Sequence, residues 1–140
     1  MNVLFVCIGN QGRSVMAQYL FQRAVGEAYA TRSAGVIPGD VPHPEVVEAL
    51  GEVGIDASGH VPHKLDDTDL AWADIAVSVC GEDVCPATPG VRRISWAVED
   101  PIGLPVDQVR GIRDEIADRV EQLARELDTG DGYFGTGSSE

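Results

Sequence analysis

Apolar and polar positions along this chain repeat first with the rhythm of a strand, then with that of a helix. Val3-Leu4-Phe5-Val6 is a continuous apolar run, which predicts a strand buried on both faces. A polar, glycine-bearing stretch follows, and then Val15, Met16, Tyr19, Leu20 and Val25 predict a helix with Ser14 as its cap. Ala30 to Ala34 reads as a second strand and Gly35 to Pro42 as a loop. Pro44 suits the first turn of a helix with Val46, Val47, Leu50 and Val53 on one face and Gly54 as its stop. Leu65 to Trp72 predicts a short helix, Ile75 to Val79 a third strand and Val91 to Trp96 a fourth. Val106, Val109, Ile112, Ile116, Val120, Leu123 and Leu127 then keep to steps of three and four, the stripe of a long amphipathic helix. Glu115 with Arg119 and Glu121 with Arg125 support its wet side. Strands alternating with helices predict one α/β domain over residues 1–127, a four-stranded parallel sheet flanked by helices on both faces. Asp128 to Glu140, rich in Gly, Ser, Thr and Asp, is expected to be a flexible tail. In such folds the ligand sits beyond the C-terminal strand ends, which directs attention to the loop after the first strand.

Composition narrows the class. The chain has 140 residues, 44% of them hydrophobic, which suits one packed domain. It contains no run of about 18 apolar residues, so no transmembrane helix is expected. The N-terminus lacks the charged segment and small-residue cleavage site of a secretion signal, so the cytoplasm is the expected compartment. The net charge of −13 repels phosphate backbones and speaks against a nucleic-acid binder. Residues 1–35 alone run the other way, with Arg13, Arg23 and Arg32 against Glu27, so an anion site is expected there. Cys7, Cys80 and Cys85 fit neither a secreted disulfide framework nor a four-ligand zinc site, which leaves buried or working thiols.

One loop carries chemistry. Cys7-Ile8-Gly9-Asn10-Gln11-Gly12-Arg13-Ser14 fits Cys-x5-Arg-Ser. A loop entering a helix turns backbone N–H groups inward and forms an anion nest. Gly9 and Gly12 let it curl, and Arg13 offers a two-pronged donor to an oxyanion. Ser14 can hydrogen-bond the sulfur, and all these groups favour negative charge on Cys7. A thiolate beneath a tetrahedral oxyanion is a nucleophile aimed at phosphorus or arsenic. A strand-end thiol and a surface arginine give the same spacing by chance. The position of this motif, between a predicted strand and a predicted helix and in the net-positive segment, favours the site.

With these residues the chain resembles the low-molecular-weight protein tyrosine phosphatase superfamily, and within it the thioredoxin-coupled arsenate reductases. The resemblance covers about residues 2–127. Beyond the loop it rests on Arg32-Ser33-Ala34-Gly35, on the stretch from His43 to Ser58, and on Val77-Ser78-Val79-Cys80 with Cys85-Pro86. Trp96, Glu99-Asp100-Pro101 and Arg113-Asp114-Glu115-Ile116 add to it.

The resemblance implies roles. The N–H groups of Ile8, Gly9, Asn10, Gln11, Gly12, Arg13 and Ser14 would hold arsenate, or phosphate or sulfate as its analogue. Asp100 would protonate the leaving oxygen. Cys7 would attack arsenate, Cys80 would resolve the adduct into a Cys7–Cys80 disulfide, and Cys85 would move the disulfide to Cys80–Cys85 for reduction by thioredoxin. The departures are specific. Only four residues, Gly81-Glu82-Asp83-Val84, separate the relay cysteines, fewer than is usual in the family. Position 12 is Gly where many members carry a second cysteine. Ile102-Gly103-Leu104-Pro105 follow Asp-Pro with no aromatic wall for a phosphotyrosine ring. Asn10 and Ser33 match the potassium ligands of some reductases, whereas Gln18 and His63 stand where acidic ligands belong, so no metal is expected, nor any organic cofactor.

Asn10 is expected to organise the loop, since Asn tolerates a left-handed turn. His43, His60 and His63 read as solvated or capping histidines, and Asp66-Asp67-Thr68-Asp69 as a helix cap with a solvated face. No membrane partner is expected, and the chain is expected to be a monomer. Three rivals remain: a phosphatase using Cys7 and Asp100 with Cys80 and Cys85 idle, an oxyanion or redox sensor without turnover, and a reductase drawing on a small thiol without Cys85.

Overall fold

The structure, a computed structural model, describes residues 1–80 and 90–128. Cys85, the segment Gly81 to Val84 and the tail from residue 129 onward lie outside the described residues.

The chain runs β1 (Asn2–Cys7), α1 (Arg13–Val25), a 3-10 turn (Gly26–Ala28), β2 (Ala30–Gly35), α2 (Pro44–Gly51), α3 (Asp67–Trp72), β3 (Ile75–Ser78), β4 (Arg92–Ser95) and α4 (Val106–Asp128). The four strands form one sheet in the order β2-β1-β3-β4, and every pairing is parallel. The chain moves from β1 outward to β2 and then returns to the other side of β1 to lay down β3. Strand order therefore reverses at β1, and in open parallel sheets the crevice at such a reversal receives the ligand.

The apolar run of β1 is buried on both sides because its alternate residues serve two cores. Val3 and Phe5 face α1, α2 and α4, together with Ile75, Val77, Phe21, Leu50, Val109 and Ile116. Leu4 and Val6 face the smaller layer built on α3, with Ala34, Leu70 and Ala76. Phe5 lies edge-on to Phe21, ring centroids 5.6 Å apart, and 6.1 Å from Trp96. Burying one such ring contributes about 1.5–3 kcal/mol, so the strand that ends in Cys7 is firmly anchored. On the far side Arg110 and Arg113 both bond Glu52, tying α4 to the end of α2, and Arg113 also donates to the Ala49 carbonyl at 2.9 Å.

The predicted elements are all present, with two differences. Leu65 does not open α3. Residues 63–65 instead run beside the end of β2, where Gly35 N–H donates to the His63 carbonyl and Leu65 N–H to the Gly35 carbonyl. The helix starts at Asp67 behind a capping box in which Asp66 and Asp69 exchange side-chain and backbone bonds. And Asp69, expected on a solvated face, is buried at 2% exposure and bonds His63 and Arg32.

Candidate active site

Cys7 is the last residue of β1, and its side chain is 3% exposed. The loop behind it owes its shape to a second strand of chain. The carbonyls of Cys7, Ile8, Gly9 and Gln11 accept bonds from the N–H groups of Val36, Ile37, Gly39 and His43, at 2.9–3.2 Å. In a planar trans peptide the N–H points opposite to the C=O. Holding those four carbonyls outward therefore turns the N–H groups of residues 8, 9, 10 and 12 toward the interior of the loop, where Asn10 N–H lies 3.3 Å from Cys7 Sγ. The two segments meet this closely because Gly35 has no side chain: a Cβ there would lie 2.6 Å from the Ile8 carbonyl oxygen and 2.8 Å from Asn10 N.

Asn10 is the hub of the loop. It is fully buried and left-handed, with φ of 52°, as its residue type allowed. Its Nδ2 donates to Ser14 Oγ at 2.8 Å and to Ser33 Oγ at 2.9 Å. With one lone pair of Ser14 Oγ taken, the Ser14 hydroxyl hydrogen is free to point at Cys7 Sγ, 2.9 Å away. Ser14 is therefore not the helix cap expected of it. α1 begins at Arg13 behind Gly12 with no side-chain cap, and the Ser14 hydroxyl serves the sulfur instead.

The other end of Asn10 accepts from His63 N–H at 2.9 Å and meets His60 Nε2 at 3.1 Å. An amide oxygen only accepts, so His60 carries its hydrogen on Nε2, and its Nδ1 accepts a hydrogen bond from the Tyr19 hydroxyl at 3.2 Å. Burial holds His60 below the ordinary histidine value, against the opposing pull of its bond to Asn10, and so favours this neutral form. Tyr19 is pushed up by its own burial and by the charge of Asp56. His60 is thus neither solvated nor a cap. It buttresses the phosphate loop.

Arg13, 9% exposed, leaves the loop and crosses to the segment after β4. Its Nη1 donates to the Val98 carbonyl at 3.1 Å, and its Nη2 lies 3.4 Å from Asp100 Oδ2. Asp100 and Arg13 line, with Cys7, Gly12, His43 and Ile102, a cavity of about 210 Å³. Among the described residues, three larger hollows, of about 380, 410 and 470 Å³, have no thiol in their linings. The small cavity suits a small anion.

Cys80 follows β3, two residues beyond Ser78, and is half-buried, with Ser78 Oγ 3.5 Å from its sulfur. In the β1–β3 pairing Val6 stands opposite Ser78, and Val79 N–H bonds the Val6 carbonyl at 2.9 Å. The chain therefore brings Cys7 and Cys80 out at the same end of neighbouring strands.

The residues around Asn10 do not fit a potassium ion. Asn10 Oδ1 is taken by His60 and His63 N–H, and Gln18 Oε1 accepts from the Ser33 hydroxyl at 2.5 Å, so these oxygens face protein donors. His63, Asp66 and Asp69 bring ligand atoms within 4.8 Å of one another, but those atoms make the α3 cap and the pair with Arg32. Among the described residues, no helix is long and apolar enough to cross a membrane.

Comparison with known proteins agrees with this geometry. An arsenate reductase of Brevibacillus brevis is 37% identical over 125 residues, covering 87% of this chain and 92% of that protein. A solved thioredoxin-dependent arsenate reductase of Corynebacterium glutamicum superposes with a TM-score of 0.79 at 32% identity, over 92% of this chain. That match spans 62% of the Corynebacterium protein. A low molecular weight protein tyrosine phosphatase of T. tengcongensis superposes with a TM-score of 0.78 at 30% identity, over 91% of this chain and 99% of that one. The family model described as low molecular weight phosphotyrosine protein phosphatase matches residues 2–131. A buried thiol under a ring of inward N–H groups, a guanidinium and a facing carboxylate, in a chain with these relatives, make this protein a member of the low molecular weight phosphotyrosine protein phosphatase family.

Proposed function

We propose that this protein reduces arsenate to arsenite by a thiol relay. The observation that carries the reading is the β1–β3 register, which brings a second cysteine, Cys80, out at the same end of the sheet as the phosphate-loop cysteine Cys7. A phosphatase has no use for that second thiol, whereas a two-electron reduction needs one.

In this reading the inward N–H groups of residues 8–14 and Arg13 hold the arsenate. Cys7 Sγ attacks arsenic, a sulfur–arsenic bond forms, and one oxygen leaves as water with the proton that Asp100 supplies. Cys80 thiolate then attacks Cys7 Sγ. The sulfur–arsenic bond breaks with its electron pair going to arsenic, which leaves as arsenite, and the two thiols are oxidised to a disulfide. Cys85, which lies outside the described residues, attacks Cys80 and releases Cys7. A dithiol protein of the thioredoxin kind returns the two electrons to the Cys80–Cys85 disulfide. This chemistry suits the reducing cytoplasm. The match over 125 residues to 92% of the Brevibacillus reductase's length supports one catalytic domain.

The Cys7–Arg13–Asp100 arrangement also supports a second reading, hydrolysis of phosphomonoesters, because it needs neither Cys80 nor Cys85. One experiment separates the two. Arsenite formation is followed with arsenate, thioredoxin, thioredoxin reductase and NADPH for wild type, Cys80→Ser and Cys85→Ser, beside an aryl phosphate. Turnover in wild type, with at most one event in either variant, is the expected result. Equal aryl phosphate cleavage by all three and no arsenite overturns the relay in favour of the phosphatase.

A further inference from the structure

Pro101 rests on Gly12. A Cβ at position 12 would lie 2.7 Å from Pro101 Cγ and 3.5 Å from His43 Cδ2. Pro101 is buried, and 2.7 Å is closer than a Cβ contact allows, so in this chain a side chain at position 12 makes the proline ring or the turn that holds it shift. That turn is knitted together. Asp100 Oδ1 accepts from Ile102 N–H at 3.0 Å, Leu104 N–H donates to the Pro101 carbonyl at 3.1 Å, and Gly103 supplies the left-handed corner with φ of 76°. Asp100 to Leu104 therefore forms one hydrogen-bonded turn. Its carboxylate lies 3.4 Å from the guanidinium of Arg13, the residue that follows Gly12.

From this contact we infer that Gly12 is a positioning residue: its missing side chain lets Pro101 seat on the phosphate loop, and that seat sets how closely Asp100 approaches the oxyanion over Cys7. The inference rests on the proposed role of Asp100 as proton donor.

The contact predicts a bump-and-hole pattern. Gly12→Ala adds a methyl group against the ring, and Pro101→Ala removes the ring and leaves a hole. Each single variant loosens the turn, and the double variant refills the hole. Amide exchange at Ile102, protected by the Asp100 carboxylate, is expected to speed up several-fold in each single variant and to slow again in the double. Arsenite formation should lose roughly tenfold in kcat in each single variant, part of the 10²–10⁴ a general acid supplies. KM for arsenate should stay within about twofold, and the double variant should recover most of the loss. Gly12→Ala placed on Asp100→Asn should cost nothing more, because it acts through Asp100.

Three results overturn the inference: a raised KM with kcat preserved, a full additional loss on top of Asp100→Asn, or a double variant no better than its parents. If Asp100→Asn keeps wild-type kcat, the proton-donor reading fails by itself, and the exchange at Ile102 still decides whether Gly12 seats the turn. If Gly12→Ala does not fold, Pro101→Ala leaves the phosphate loop untouched, and unchanged Ile102 exchange in that variant is equally fatal.

Discussion

The Ser14 hydroxyl oxygen stands 2.9 Å from the Cys7 sulfur, on the first turn of α1, while Asn10 Nδ2 donates to that same oxygen at 2.8 Å. The amide occupies one lone pair of that oxygen and leaves the serine hydrogen free to point at the sulfur. A hydrogen bond to a charged sulfur contributes about 1.5–3 kcal/mol. Ser14→Ala should therefore cost roughly 10- to 100-fold in kcat for arsenite formation. The same change leaves a buried Asn10 N–H without its acceptor, a loss of about 1–3 kcal/mol in stability. Steady-state kinetics beside urea denaturation measures both. An undiminished kcat with lowered stability would mean that the hydroxyl serves the loop and not the sulfur.

Asn10 combines two demands that no other residue type meets: a left-handed backbone and side-chain bonds to Ser14, Ser33, His60 and His63. Substitution by Gly keeps the first and loses the second. Substitution by Ala loses both. Asn10→Gly should destabilise the protein by about 3 kcal/mol or more, from several buried partners left unpaired. Asn10→Ala should add about 1–2 kcal/mol for a Cβ in the left-handed region. Equal stabilities of the two variants by denaturant unfolding would count against a φ held positive by the fold.

The half-buried His60 gives stability a pH dependence. His60 is held below its ordinary value near 6.5 chiefly by burial. Above that value the folded and unfolded chains both carry it neutral, and it contributes no pH dependence. As pH falls through 6.5 the unfolded chain binds a proton that the folded chain resists, so stability is lost on the acid side. The carboxylates of Glu52, Asp56 and Asp66 are held below their ordinary values by hydrogen bonds, to Arg110, Ser58 and Asp69 respectively. Their contributions stay whole above those values of 4.5, 3.8 and 3.8 and are lost only at lower pH. Between about pH 7.5 and pH 5.5 the fall in Tm should therefore come largely from His60. His60→Gln, which keeps a donor for Asn10 without titrating, should flatten the curve there. An equally steep fall in the variant would assign the effect elsewhere.

The fold was legible because its signals are local. Val3 to Val6 had to be a strand buried twice over, and the spacing of Val106 to Leu127 left one helical face. The phosphate loop was legible because its glycines, Arg13 and Ser14 stand in one short run. Leu65 misled because a pairing to Gly35, thirty residues back, overrides a helical pattern that fits locally. Asp69 looked solvated because acidic runs usually are, and only its contacts to His63 and Arg32 make burial tolerable. His60 gave no sign at all: its partners Asn10 and Tyr19 lie fifty and forty-one residues away, and no spacing rule joins them. Nothing in the chain before Gly12 pointed to Pro101, whose contact exists only once the turn after β4 folds back over α1.

Arg13 spans the two halves of the site, and its geometry separates charge from shape. One prong reaches the Val98 carbonyl at 3.1 Å and the other lies 3.4 Å from Asp100 Oδ2. Lysine keeps the positive charge but is a single point with no fork, so it cannot serve the oxyanion and the turn together. Arg13→Lys should leave the fold intact, since the core residues around it are unchanged. It should lower kcat for arsenite formation by about 10²–10³, the loss typical of removing one preorganised donor from an oxyanion site. Competitive inhibition by phosphate should weaken in parallel, because the same fork is lost to any tetrahedral oxyanion. Measuring kcat, the phosphate inhibition constant and Tm on one preparation distinguishes the cases. If the lysine variant keeps its kcat, charge alone suffices at position 13, and the bonds to Val98 and Asp100 do not govern catalysis.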